Sequence, residues 1–569
     1  MISRDPTAPT DRARPERASR GFLSRSEARP ALGFLAAWLL LDTMVNLRYP
    51  APEPALWFLL PSLDIVVVFG CMAGVAALGH RVPTAVRIAL VAALVLVRLL
   101  RFGDGALGVY YSVPFHLHID LALLPELIRF AYSTLGFAKA TLCCAAALGL
   151  LCGVCLACHF ALLHAERYLA EPRHLRLVAL VALLSMTGAT VGKLDGQHGE
   201  LHHLGLGASV VPRLVREAGV LFHARTARAD HADEIARVRQ QLDAQPKNLA
   251  RLDQRDVYLF LVESYGATVL ERPLYLEAIA PVYAAFETEL GAGGFAMASG
   301  LLDSPIAGGR SWLAHATLGS GVRTENQLQY DVALDLRPRG VASLFRDAGY
   351  RTVLVQPGTT RPSPRTEFYG FEQSYYARDL EYRGPSYAWA TMPDQYVIDF
   401  VHRREVAPRS SPLFVQYTLV TSHAPWSDLP PLVDDWGALG DGSIYEQLGR
   451  RQYQIEWPRF QNAPQAYIDS IVYDLMLLER YLREFVQGEA LVVILGDHQP
   501  VAEVAGYSTS RAVPVHVLSR HAPSIEPFVA RGYTRGMRPA TTAGPRRGLE
   551  TLLPDLVRDF STPESAHTD

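Results

Sequence analysis

The sequence predicts an α-helical transmembrane bundle of five helices followed by an α/β domain with a largely parallel central sheet. Three observations lead there. Five apolar segments, at about residues 31–47, 55–79, 84–101, 138–163 and 174–192, fall in the first third of the chain. Arginine gathers in alternate connections between them. From residue 256 onward, short apolar runs alternate with helix-period patterns, as strand–helix–strand units require.

Residues 1–30, rich in Arg, Pro and Ser with no apolar period, read as a disordered basic tail. Most of the apolar segments approach the ~20 residues that cross a bilayer core. A signal peptide would show one short apolar stretch and a small-residue cleavage site, so these segments read as anchors that stay. If all five cross, the tail, the His80 to Arg87 loop and the Arg167 to Arg176 loop share a side, which the positive-inside rule makes cytoplasmic. That orientation places everything after Lys193 in the periplasm or outside the cell, on a bacterial inner membrane. Residues 102–137 fall outside too, and Tyr110, Tyr111, Pro114, His116 and His118 among apolar residues suggest an element lying at the interface.

Residues 194–255 read as a helical linker, with a charged helix at about 225–243 and with His198, His202 and His203 as exposed polar residues. Residues 256–545 form the expected catalytic domain and 546–569 a closing tail. The formal charge of -3 carries no nucleic-acid signature. Lysine is confined to Lys139, Lys193 and Lys247, an arginine bias that reads as GC-rich bacterial coding. All six cysteines precede residue 160, so the catalytic region holds no internal disulfide. Cys152, Cys155 and Cys158 imitate a ligand spacing, but they sit in an apolar helix with no histidine or carboxylate to complete a site, and read as helix packing.

In the α/β region the strand candidates are 256–263, 352–357, 413–420 and 490–496, and the helix candidates 311–319, 339–348 and 464–487. Sites in open parallel sheets form at the carboxyl ends of strands. The first strand ends at Glu263, the third leads to His423 and the fourth to Asp497 and His498. Two carboxylates and an imidazole suit a divalent cation, Mn²⁺, Zn²⁺ or Mg²⁺. In SPIAGGRSWLAHATLGSG, Gly308 and Gly309 allow a tight turn before Ser311 opens a helix. A hydroxyl there sits among unpaired amides that favour its ionised form and an incoming phosphate; equally, it is where an N-cap serine sits.

These motifs, in this order over residues 256–520, resemble the alkaline phosphatase superfamily, in particular the sulfatase-like branch with the lipoteichoic acid synthases and membrane phosphoglycerol transferases. The resemblance implies an alkaline-phosphatase-like fold. It implies one divalent metal, Mn²⁺ first among the candidates, held by Glu263 in LFLVESYG, Ser311 in GGRSWLAH, and Asp497 and His498 in VILGDHQP. Ser311 becomes the nucleophile and His423, in TLVTSHAPW, the histidine on the substrate side. Gln356, Arg361 and Arg365 stand where relatives place substrate-binding residues, and either arginine suits a bidentate grip on phosphate.

Two departures narrow the chemistry. Leu419 occupies the place of an Asp that two-metal phosphatases carry four residues before the histidine. His516, in VPVHVLSR, is then either a remnant of a second metal site or a strand residue, and the strand reading is favoured. Ser311 is followed by Trp312, Leu313, Ala314 and His315, which lacks the Pro and Arg that formylglycine sulfatases need. The expected function is transfer of a group from a phosphodiester such as a phospholipid headgroup, through a covalent Ser311 intermediate, to an envelope glycan or other alcohol. The competing expectations are an extracytoplasmic phosphodiesterase or sulfatase-like hydrolase, and a catalytically silent envelope binding protein.

Overall fold

The structure is a computed structural model that describes residues 25–47, 61–171 and 210–563, apart from 112, 361–367, 388–391, 457–459, 507, 509 and 542–544, with scattered residues between 172 and 209. The chain forms two compact units. One comprises Met1–Leu47, Pro54–Leu99 and Phe137–Pro212; the other comprises Arg48–Glu53, Leu100–Gly136 and Arg213–Asp569.

Four of the five apolar segments coincide with helices, Arg25–Asn46, Leu63–Ala77, Thr84–Tyr111 and Phe137–Leu169. Among the described residues only Phe137–Leu169 is both long and apolar enough to cross a membrane. Leu142, Leu148, Leu150 and Phe160 on it are exposed, as a face meant for lipid would be. Leu63–Ala77 is apolar but has 15 residues, while Thr84–Tyr111 carries Arg87, Arg98, Arg101 and Asp104. Among the described residues one of the five segments thus has the length and apolarity of a spanning helix, and the fifth segment, 174–192, falls largely outside the described residues, as do His198, His202 and His203. The basic tail ends earlier than expected, because Arg25 to Pro30 already belong to the first helix. The first unit is pinned internally by Asp42, which accepts from Ser62 N and Oγ, and by a 2.9 Å Arg87–Glu166 pair.

The second unit is built on an eight-stranded sheet. Its strands are β1 (Val257–Val262), β2 (Ala296–Asp303), β3 (Arg351–Gln356), β4 (Gln373–Tyr376), β5 (Leu413–Leu419), β8 (Leu491–Gly496), β9 (Ala512–Ser519) and β10 (Thr534–Arg535). A separate ribbon pairs β6 (Asp428–Leu429) with β7 (Arg451–Gln452). The main order is β10-β2-β9-β8-β1-β5-β3-β4. The run from β8 to β4 is parallel, whereas β9 pairs antiparallel with both β8 and β2, and β10 with β2.

Every residue of β1 is buried, because helices cover both faces. Tyr258, Phe260 and Val262 join one core with the Pro273–Ala292 and Pro464–Phe485 helices. Val257, Leu259 and Leu261 join another with the Ser311–Ser320 and Leu552–Phe560 helices. This period-two alternation aims consecutive side chains at opposite cores and leaves the strand's end free for chemistry.

Candidate active site

β1 and β8 are neighbours and end in register, Val262 opposite Gly496, so the residues that follow them emerge side by side. Gly496 is required there: a Cβ would lie 1.8 Å from the Tyr265 carbonyl oxygen. Ser264 turns the chain away in the left-handed region, φ 60°, and its N–H donates to Asp497 Oδ1 at 2.8 Å. The His498 N–H donates to the same oxygen at 2.7 Å. One carboxylate oxygen of Asp497 is thus fixed by backbone, and the other, Oδ2, is buried with no hydrogen-bond partner.

Glu263, Asp497 and His498 are 4 %, 1 % and 1 % exposed and bring ligand atoms within 4.8 Å of one another. His498 Nδ1 donates to the Gln499 carbonyl at 2.7 Å, which leaves Nε2 turned inward, 3.0 Å from Glu263 Oε1. Burial opposes a charge on His498, but the Asp497 and Glu263 carboxylates outweigh it and push the imidazole up to about 9. Burial alone would raise Glu263, yet His498 and His423 together hold it well below the usual carboxylate range. Two buried carboxylates that recruit a positive charge, an imidazole tautomer with its free nitrogen inward and an orphaned Oδ2 together fit a divalent cation.

Ser311 is the first residue of its helix, and Arg310, at φ 67°, occupies the cap position. The Ser311 hydroxyl does not cap. It lies 2.9 Å from both Glu263 oxygens and 3.1 Å from His498 Nε2, so four sequence-selected residues converge. Gly308, φ 79°, sits against the Tyr110 carbonyl, where a Cβ would come within 1.9 Å, and this close approach adds to the turn that the sequence implied.

That contact reveals residues the sequence reading missed. Arg310 pairs with Asp120 at 3.1 Å, both side chains being 10 % exposed or less, and its guanidinium lies 5.2 Å from the centre of the Tyr111 ring. Tyr110 meets Phe460, and Phe460 meets Trp426, three residues past His423. Tyr110, Tyr111 and Asp120 therefore touch the nucleophile loop, and Tyr110 reaches the loop that carries His423 through Phe460.

His423 donates from Nδ1 to the Ala424 carbonyl at 2.6 Å. Its loop is anchored below by Asp394, fully buried, which accepts from Val420 N and Thr421 N. Asp474, also buried, faces Asp394 and Ser422. Burial raises both carboxyls, Asp394 to about 6 and Asp474 well above its ordinary value, which favours a proton on the pair. Acidic residues at the start of the apolar helix DQYVIDFV and inside SIVYDLMLL were the available signal.

Gln356 ends β3, 8 % exposed, and belongs to none of these contacts; its Oε1 is buried without a partner. Arg361 and Arg365 lie outside the described residues. His516 is a strand residue of β9, fully buried. It accepts at Nε2 from Tyr265 at 2.9 Å and donates at Nδ1 to Ser299, and burial pulls it down to about 3, a neutral imidazole in a hydrogen-bonded chain. Leu419 closes β5 with no exposure. A separate cavity of about 770 Å³, lined by Tyr111, Arg213, Arg216, Ala307 and Arg511 among others, includes none of the four converging residues.

Comparison with known proteins agrees with the motifs. Residues 313–531 match the Sulfatase family model. No curated protein matches the sequence. Among solved structures, the lipoteichoic acid synthase LtaP from Listeria monocytogenes is 12 % identical, with a TM-score of 0.32 over 46 % of this chain and 65 % of that one. This chain thus covers just under two thirds of that relative's length. The integral membrane lipooligosaccharide phosphoethanolamine transferase A from Neisseria meningitidis is 13 % identical, with a TM-score of 0.42 over 87 % of this chain and 88 % of that one. The phosphoglycerol transferase GacH from Streptococcus pyogenes is 14 % identical, with a TM-score of 0.33 over 58 % and 91 %. Residues 313–531 are thus similar to the Sulfatase family, in keeping with the sulfatase-like branch that the sequence motifs resemble.

Proposed function

We propose that the protein is a membrane-anchored, metal-dependent phosphotransferase that passes a group from a phosphodiester, such as a phospholipid headgroup, to an alcohol acceptor such as an envelope glycan. The observation that carries this reading is the position of Ser311 Oγ, 2.9 Å from Glu263 and 3.1 Å from His498 at the mouth of two adjacent strands. Glu263, Asp497, His498 and Ser311 would hold one divalent cation, Mn²⁺ first among Mn²⁺, Mg²⁺ and Zn²⁺. The cation supplies Lewis acidity and a lowered pKa for the serine hydroxyl.

The residues then divide the work. Ser311 Oγ, its proton drawn toward Glu263, attacks phosphorus; the Oγ–P bond forms as the bond to the leaving oxygen breaks. His423, held by its Nδ1–H bond to Ala424, presents Nε2 to give that oxygen a proton. In the second half, neutral His423 takes the proton of the acceptor hydroxyl, whose oxygen attacks the phosphoserine; the Oγ–P bond breaks and Ser311 recovers its proton from Glu263. Arg361, Arg365 and Gln356 are assigned to the substrate's phosphate and alcohol groups. The catalytic domain would face the periplasm or exterior of a bacterial inner membrane, within reach of lipid headgroups.

The test is intact-mass analysis of the full-length protein in detergent after incubation with labelled phospholipid, with and without an acceptor alcohol. A headgroup phosphoryl adduct on Ser311 that moves to the acceptor is the expected result. An adduct that only water discharges would make the enzyme a hydrolase. Turnover with no adduct, and with Ser311→Ala unimpaired, overturns the mechanism.

A further inference from the structure

His315 lies one turn beyond Ser311, so the two side chains share a face of the Ser311–Ser320 helix. It is 6 % exposed, and its Nε2 is buried without a hydrogen-bond partner. Facing it at 3.6 Å is Asp497 Oδ2, the other buried orphan of the site. Two orphaned polar atoms of opposite kind, enclosed together, are each costly alone and satisfied by one small movement.

The remaining neighbours leave Oδ2 to this residue. Backbone N–H groups of Ser264 and His498 are spent on Oδ1. His498 Nε2 is also 3.6 Å from Oδ2, but it is directed at Glu263 and Ser311, 3.0 and 3.1 Å away. His315 itself stands outside the compact ligand set of Glu263, Asp497 and His498. Its place is behind a ligand, where a ring N–H steers the oxygen that the metal needs.

Resting on the metal reading above, we propose that His315 is a positioning residue, whose Nε2–H donates to Asp497 Oδ2 and orients that oxygen toward the cation. The gap exceeds a normal N–H···O bond by roughly 0.5 Å, within reach of a modest ring rotation. Such partners behind a ligand fix its direction and raise its grip on the metal.

The experiment uses full-length protein in detergent, stripped of metal and titrated with Mn²⁺ and with Zn²⁺ against a competing chelator dye. His315→Ala should weaken binding about 10 to 100-fold, while the melting temperature of the stripped protein stays near that of the unsubstituted chain. His315→Gln, whose side-chain amide reaches the position of Nε2, should regain part of the loss; His315→Asn, too short, should not. Affinity within twofold of the unsubstituted protein in the Ala variant overturns the proposal and leaves the metal site standing. If His315→Ala fails to fold, equal affinities of the Gln and Asn variants overturn it instead. Failure of the unsubstituted protein to bind either metal overturns the metal reading and this inference together.

Discussion

The two sides of the candidate site are built differently. On the side of β1 and β8, backbone N–H groups fix Asp497, a carbonyl fixes the His498 tautomer, and Glu263 holds the Ser311 hydroxyl, all behind a wall of buried side chains. On the side of β5 and β3, His423 stands half-buried on a loop, Gln356 has an unsatisfied Oε1, and the two arginines fall in a segment without described structure. The contrast teaches a division of labour. On the proposed reading, chemistry common to many phosphate esters falls to the side where strands dictate geometry, and recognition of one substrate falls to loops.

The strongest way to break that picture is Ser311→Ala. A capping role would lose about 0.5–2 kcal/mol of stability and keep turnover, whereas the nucleophile reading expects turnover to vanish with the melting temperature nearly unchanged. Ser311→Thr keeps a hydroxyl at the helix start and should retain part of the rate. Unimpaired turnover in the Ala variant, measured with purified protein, would refute the assignment.

Next in size is Asp497→Ala, which removes an oxygen anchored by two backbone donors. Metal content by mass spectrometry should fall to background while the domain still melts cooperatively. Retained stoichiometric metal would show that the rigid side is not the metal side.

Asp120→Asn probes the bridge between the two sides. Truncating one partner of a largely buried pair leaves Arg310 uncompensated, an effect of up to ~3 kcal/mol. Because Arg310 caps the nucleophile helix, the expected signature is a lower kcat with KM little changed. A change in melting temperature alone, with kinetics intact, would confine Asp120 to a structural role.

The smallest expected effect lies beneath His423. Burial raises the Asp394 and Asp474 carboxyls above their unfolded value of 3.8, Asp394 to about 6. The folded protein therefore binds a proton more tightly than the unfolded one. The stability that this proton contributes is complete below 3.8 and is lost as pH rises through about 6. Asp474→Asn keeps a neutral donor toward Asp394 and should flatten that decline, so its melting temperature gains on the unsubstituted protein as pH rises. A constant offset at every pH would count against the shared proton.

How much of this could be read beforehand follows from physical range. β1, β3, β5 and β8 announce themselves because strands buried on both faces are continuous apolar runs. β2, AMASGLLD, hides among small residues, and β4 has only four. Glu263, His423, Asp497 and His498 were legible because each closely follows such a run. Arg310 and Asp120 were not, being 190 residues apart, and pairing at that distance leaves no local pattern. The apolar N-terminal segments were read from composition alone; among the described residues Phe137–Leu169 has both the length and the hydropathy of a span, while Thr84–Tyr111 carries charges inside it.

The position of β1 in the sheet has a consequence in time. Its two neighbours, β5 and β8, begin more than 150 residues later in the chain, and Glu263 meets Asp497 and His498 only when β8 has docked. A nascent chain that has delivered Glu263 and Ser311 still lacks Asp497 and His498. No ribosome-bound fragment that stops short of residue 498 can assemble the cluster, so the site completes itself late, after most of the chain has been made.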